Sequence, residues 1–113
     1  MECYDLQEKN NILTITFHQN SHDLEQVNKL ELYHLKDYIA NSKCSILICD
    51  LSKSNYERGD YISAGWLYGA LCDKKVYVVA KESQIDALKS LMKMNIEVPI
   101  YTDINDVPGY VVV

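Results

Sequence analysis

The side chains best equipped for chemistry gather in one short stretch. From Asp50 to Asp60 the chain carries Asp50, Ser52, Lys53, Ser54, Asn55, Tyr56, Glu57, Arg58 and Asp60. Carboxylates, hydroxyls and a guanidinium so close together can hold an anion, accept a phosphoryl group or grip a polar ligand. A phosphate on Ser52 or Ser54 would find its counter-charge in Arg58. The stretch leaves an apolar run, Ile46-Leu47-Ile48-Cys49, and enters an apolar helical pattern. That places it at the carboxyl end of a strand, where α/β sheets bind their ligands. A helix beginning near Asp60 adds unsatisfied N–H groups and a positive dipole end. Ser63 and Trp66 follow on that helix. The candidate binding residues are therefore Asp50, Ser52, Ser54, Tyr56, Arg58, Asp60, Ser63 and Trp66. The plain alternative is a solvated connector with Asp60 as its N-cap. Trp66, the sole tryptophan, either anchors a partner or packs into the core.

The rest of the chain holds no complete catalytic motif. G-x-S-x-G, the P-loop and H-E-x-x-H are all missing from the sequence. His18, His22 and His34 are scattered, without a clustered carboxylate or thiol set, so neither a metal nor a cofactor is expected. Cys3, Cys44, Cys49 and Cys72 form no C-x-x-C pair and match no zinc spacing. Cys49 and Cys72 lie in apolar runs and read as small core hydrophobes.

The 113 residues suit one domain spanning 1–113, large enough to bury a core without disulfides. The net charge of −5 excludes the basic footprint of a nucleic-acid domain and disfavours an anionic membrane surface. No apolar run approaches a membrane span, and MECYDLQEKN lacks the pattern of a signal peptide, so a cytoplasmic location is expected.

Periodicity supplies the elements that must carry the polar stretch. Cys3–Glu8 and Ile12–Phe17 flank Asn10-Asn11, and Leu13, Ile15 and Phe17 alternate with Thr14 and Thr16. A hairpin turning on two asparagines follows. A helix is expected from Ser21 or Asp23 to about Ala40, with Leu24, Val27, Leu32, Leu35, Tyr38 and Ile39 on one apolar stripe. Asn41-Ser42-Lys43 breaks it. Cys44–Leu51 reads as a central strand covered on both faces. Asp60–Cys72 is helical and apolar nearly all round, and Val76–Ala80 is a further buried strand. Gln84–Met94 is an amphipathic helix with Ile85, Leu88, Leu91 and Met92 inward and Asp86, Lys89 and Lys93 outward. Val98–Tyr101 is a short strand in which Pro99 signals a sheet edge or a strand start. Asp103–Val107 makes one helical turn ended by Pro108-Gly109, and an apolar tail, Tyr110–Val113, follows. That tail suits an added strand, either in this domain or on a neighbour's sheet edge. The order β-β-α-β-α-β-α-β defines an α/β domain with a mixed sheet, opened by a β-hairpin and flanked by about three helices.

This order resembles the STAS domain, the SpoIIAA-like fold of bacterial anti-sigma factor antagonists. Asn11-Ile12-Leu13-Thr14-Ile15-Thr16-Phe17 looks like the second strand of that family's hairpin. His22-Asp23-Leu24-Glu25-Gln26-Val27-Asn28-Lys29-Leu30 resembles its L-D-x-x-N-A-x-x-L helix start. Ile46-Leu47-Ile48-Cys49-Asp50-Leu51-Ser52 resembles its V-V-L-D-L-S strand, and only D-L-S is at all specific. The phosphoacceptor motif D-S-S-G or D-S-T-G is degenerate here. Its place is taken by Tyr56-Glu57-Arg58-Gly59 or, in another register, Ile62-Ser63-Ala64-Gly65. The resemblance implies a non-enzymatic regulatory module that binds a protein partner or homodimerises, or that senses a small apolar or nucleotide ligand.

A second resemblance competes. Ser63-Ala64-Gly65-Trp66-Leu67-Tyr68-Gly69-Ala70-Leu71 is similar to the E-x-G-Y-A-x-A helix of nucleoside deoxyribosyltransferases, with Ser63 where the nucleophilic Glu would stand. Such an enzyme needs a carboxylate near Ser63, Glu57 or Asp60 for example. The opening hairpin favours the STAS-like reading. A third alternative, a SpoIIAA-like binder of lipid or another apolar ligand, requires an internal apolar cavity.

Overall fold

The computed structural model describes residues 4–17, 36–53, 73–93 and 98–110. β1 (Tyr4–Lys9) and β2 (Ile12–Phe17) form the expected antiparallel hairpin, with Lys9 opposite Ile12 and Tyr4 opposite Phe17. Both turn residues take positive φ, 53° at Asn10 and 66° at Asn11. A two-residue hairpin needs that conformation, and asparagine adopts it at less strain than most residues. Asn11 does more than turn the chain. Its Oδ1 accepts from the Ser45 N–H at 3.0 Å, and its Nδ2 donates to Ser45 Oγ. The Asn11 carbonyl accepts from the Ile46 N–H at 3.3 Å. The hairpin tip therefore sets where the next strand begins.

That strand, β3 (Ile46–Asp50), runs parallel to β2, and β4 (Lys75–Val79) runs parallel to β3. β5 (Ile100–Tyr101) pairs parallel with β4 and closes a five-stranded sheet in the order β1-β2-β3-β4-β5. Burial follows position in the sheet. β2 alternates, with Leu13, Ile15 and Phe17 buried and Thr14 and Thr16 half-buried. β3 and β4 are buried at every residue after the first, as unbroken apolar runs in central parallel strands should be. Pro99 lies just before β5 on the edge. It has no N–H to give, but its carbonyl accepts from the Val78 N–H at 3.0 Å.

Two helical stretches are described, α1 (residues 36–41) and α2 (Glu82–Lys93). Ile39 from α1 and Leu88 from α2 are fully buried in one cluster with Leu13, Ile15, Phe17, Leu47, Cys49, Val76 and Val78. The opposite face gathers Ile12, Ile48, Tyr77, Val79 and Val107, with Ile104, Tyr101 and Tyr110 packed beside them. Among the described residues, this face is covered by the 3-10 turn Ile104–Asp106, whose N-cap Asp103 accepts from the Asn105 N–H at 2.9 Å. The chain then reverses at Gly109, where φ is 83°.

The mixed α/β sheet opened by a hairpin is thus present. Tyr38 departs from its expected inward place: it is 39% exposed, while its neighbour Ile39 is fully buried. On a helix packed over a sheet, adjacent residues are separated by 100° and cannot both face inward. Leu91 and Met92 side chains, the expected helix start at Ser21 or Asp23, the helix Asp60–Cys72 and the tail beyond Tyr110 lie outside the described residues.

Asn11→Ala removes both the left-handed preference and the Ser45 bonds, and should cost about 1–3 kcal/mol. Asn10→Gly should be near neutral. Equilibrium urea unfolding of the two variants checks the difference.

Candidate functional site

The carboxyl ends of the parallel strands form a connected structure. Pairing continues past the strands themselves: the Leu51 N–H donates to the Val79 carbonyl at 2.7 Å, and the Ala80 N–H to the Tyr101 carbonyl at 2.9 Å. At the last position of β3, Asp50 is 6% exposed. Its Oδ1 accepts from the Ser52 N–H at 2.9 Å and from the Ser52 hydroxyl at 2.6 Å. This side-chain turn bends the chain out of the sheet immediately after Leu51. Ser52 is half-buried and Lys53 is exposed. Of the candidate residues, the structure brings Asp50 and Ser52 together. Ser54, Tyr56, Arg58, Asp60, Ser63 and Trp66 lie outside the described residues.

Sequence reasoning missed two features of this end. The first is a polar row across the sheet: Asp5 is the register partner of Thr16, and Thr16 is the partner of Asp50. Partners in register share a face, so the row needs the strand pairing before it can be seen. The second is Gln84, 3% exposed on α2. Its Oε1 accepts from the Lys81 N–H at 2.9 Å, and its own N–H donates to the Lys81 carbonyl at 2.9 Å. Its Nε2 donates to the Leu51 carbonyl at 3.2 Å. A glutamine at the third position of a helix, reaching back to the cap residue, was the available signal. The link to Leu51 was not legible, because it joins two elements distant in sequence.

Cys49 is fully buried between these strands, and burial, followed by the Asp50 charge, pushes its thiol well above the ordinary value of 9.0. It is a core hydrophobe, as its apolar setting implied. Cys44 is half-buried. Among the described residues no three His, Cys, Asp or Glu side chains cluster to hold a metal ion.

The opposite end of the sheet carries a different cluster. Ser42 Oγ donates to Glu8 Oε1, and Lys74 Nζ donates to the carbonyls of Ser42, at 2.9 Å, and Cys44. Tyr38 sits beside them. Desolvation first, then the Glu8 charge and hydrogen bond, raises its phenol above the ordinary range. Glu8, Asp37, Tyr38, Asn41 and Ser42 line an open depression of about 340 Å³.

No protein-family model matches the chain, and no curated protein matches it. Among the described residues, no helix is long and apolar enough to cross a membrane.

Gln84→Ala removes two side-chain bonds in a buried place and should cost about 1–3 kcal/mol, read as a lowered urea midpoint. Cys49 should stay unreactive toward a thiol reagent in the folded protein under mildly alkaline conditions, while Cys44 reacts. Because the folded thiol resists ionisation, its contribution to stability is intact below about 9 and falls as pH rises further. Thiol titration of native and urea-unfolded protein, and unfolding curves for wild type and Cys49→Val across that range, check both points.

Proposed function

We propose that the chain is a STAS-like regulatory module of the cytoplasm, not an enzyme, and that it docks a protein partner through the surface at the carboxyl end of β3. The observation that carries this reading is the Asp50–Ser52 turn at the exit of a central parallel strand, in a sheet opened by an antiparallel hairpin. The hairpin favours this reading over a nucleoside deoxyribosyltransferase-like domain. The surface includes Asp50, Ser52, Ser54, Tyr56, Arg58, Asp60, Ser63 and Trp66.

Ser52 gives such a surface a means of control. Its hydroxyl hydrogen is committed to a buried carboxylate. A phosphoryl group on that oxygen would replace the donated hydrogen with negative charge against Asp50 and release the turn. Arg58 is the cation in reach by sequence, and it would then hold the phosphate in an altered loop.

Native mass spectrometry of the protein taken from its own cells tests the reading. A stoichiometric protein companion is expected, and Trp66→Ala should weaken it by about thirtyfold, the loss of a 2 kcal/mol interface anchor. Lys53→Glu, an exposed change in the same loop, should weaken it as well. A bare chain carrying a small molecule of defined mass, with no protein companion, would replace the docking reading with ligand sensing. A companion unaffected by both substitutions would place the interface elsewhere.

A further inference from the structure

The peptide unit between Leu51 and Ser52 is held at both of its polar ends. Its N–H, from Ser52, donates to Asp50 Oδ1 at 2.9 Å, and its C=O, from Leu51, accepts from Gln84 Nε2 at 3.2 Å. A trans peptide is a rigid plane in which these two groups point in opposite directions. One end cannot swing away unless the other swings too. The first bond belongs to the turn that bends the chain out of β3. The second reaches α2, 33 residues further along the chain.

Gln84 carries the link onward. Its Oε1 accepts from the Lys81 N–H at 2.9 Å, and its own N–H donates to the Lys81 carbonyl at 2.9 Å. Lys81 directly precedes Glu82, the first residue of α2, and so stands at the N-cap position. Lysine offers no side-chain acceptor to the leading N–H groups of a helix. The cap therefore leans on Gln84, whose reach back to the N-cap N–H is half of a capping box. The side-chain amide is a second rigid plane: its oxygen orders the cap and its nitrogen holds the Leu51 carbonyl. At 3% exposure, this side chain has little room to move one of those atoms and leave the other in place. The strands give the two planes a fixed frame. The Leu51 N–H donates to the Val79 carbonyl at 2.7 Å, and the Ala80 N–H to the Tyr101 carbonyl at 2.9 Å.

We propose that the Leu51–Ser52 peptide and the Gln84 amide form a two-plane relay, through which opening of the Asp50–Ser52 turn loosens the first turn of α2. Coupling of this kind is reciprocal, so loosening that helix turn opens the loop in return. A phosphoryl group on Ser52 sets negative charge against Asp50, turns the peptide plane and draws the Leu51 carbonyl away from Gln84. The relay deepens the regulatory reading of this surface and rests on it for the phosphate alone. The coupling itself requires no partner, so it can fail while docking stands, and stand while docking fails.

Amide hydrogen exchange of the full chain, followed residue by residue by NMR, is the test. Asp50→Ala removes the acceptor of both Ser52 bonds, and Ser52→Asp sets a second carboxylate against the first. Each should speed exchange at Lys81 and Gln84 about fivefold, the loss of one ordinary hydrogen bond. The Val78 N–H, which donates to the Pro99 carbonyl within the sheet, should keep its rate. Gln84→Ala leaves Asp50 and Ser52 untouched and should speed exchange at Ser52 by a similar factor. Adding Asp50→Ala to Gln84→Ala should then change nothing more at Lys81, because the link is already cut. Unchanged rates at Lys81 and Gln84 once Ser52 exchanges freely, an equal rise at Val78, or additive effects in the double variant would each overturn the proposal. If Asp50→Ala and Ser52→Asp do not fold, the rate at Ser52 in Gln84→Ala decides by itself.

Discussion

Everything in this structure depends on β3 being buried on both faces. A strand in that position cannot turn to water for any of its backbone hydrogen bonds, so β2 and β4 must supply them along its length. Its two ends are the vulnerable points, because there the ladder stops and the chain must leave. Each end is held by an amide side chain. Asn11 binds the backbone and side chain of Ser45 at the entrance, and Gln84 binds the Leu51 carbonyl at the exit. Both amides also have local duties, one in a turn with positive φ and one in a helix cap. Local conformation and long-range packing are thereby coupled through two residues.

The same arrangement accounts for the contrast between the sheet's ends. At the amino end, Lys74 satisfies the carbonyls of Ser42 and Cys44, and Glu8 accepts from Ser42. Polar groups there are spent on joining a helix terminus to the hairpin. At the carboxyl end, the buried Asp50 accepts two bonds from Ser52, the next residue but one, and these bend the backbone. A buried carboxylate held in this manner links the bend after Leu51 to the substitution of the Ser52 hydroxyl. This is the physical basis for our proposal that the functional surface lies here.

Much of the framework was legible in sequence because it rests on local rules. Paired asparagines between alternating strands announced the hairpin. The runs Cys44–Leu51 and Val76–Ala80 announced the central strands observed at Ile46–Asp50 and Lys75–Val79, and Pro99 announced an edge or a strand start. The cross-sheet alignment of Asp5, Thr16 and Asp50 was hidden, since no single strand contains it. Gln84 was hidden for a related reason: a polar residue in an amphipathic helix looks like a solvent-facing one until its distant partner is known. Tyr38 was misplaced because hydrophobicity alone does not tell which of two adjacent aromatic and aliphatic residues the sheet will cover. Of the candidate site residues only Asp50 and Ser52 fall among the described residues, where the end of an apolar run coincides with a turn-forming pair.

The strand order has a consequence for how the chain is assembled. Each strand lies beside the one that precedes it in sequence, from β1 through β5. No strand has to be inserted between two that are already paired. The hairpin can therefore form first as the least costly closure, and each later strand can add to an existing edge in the order of synthesis. A ribosome releasing this chain would present a growing sheet whose newest edge is always the one awaiting the next strand. Among the described strands, the two-residue β5, with a proline before it, is the last to be added.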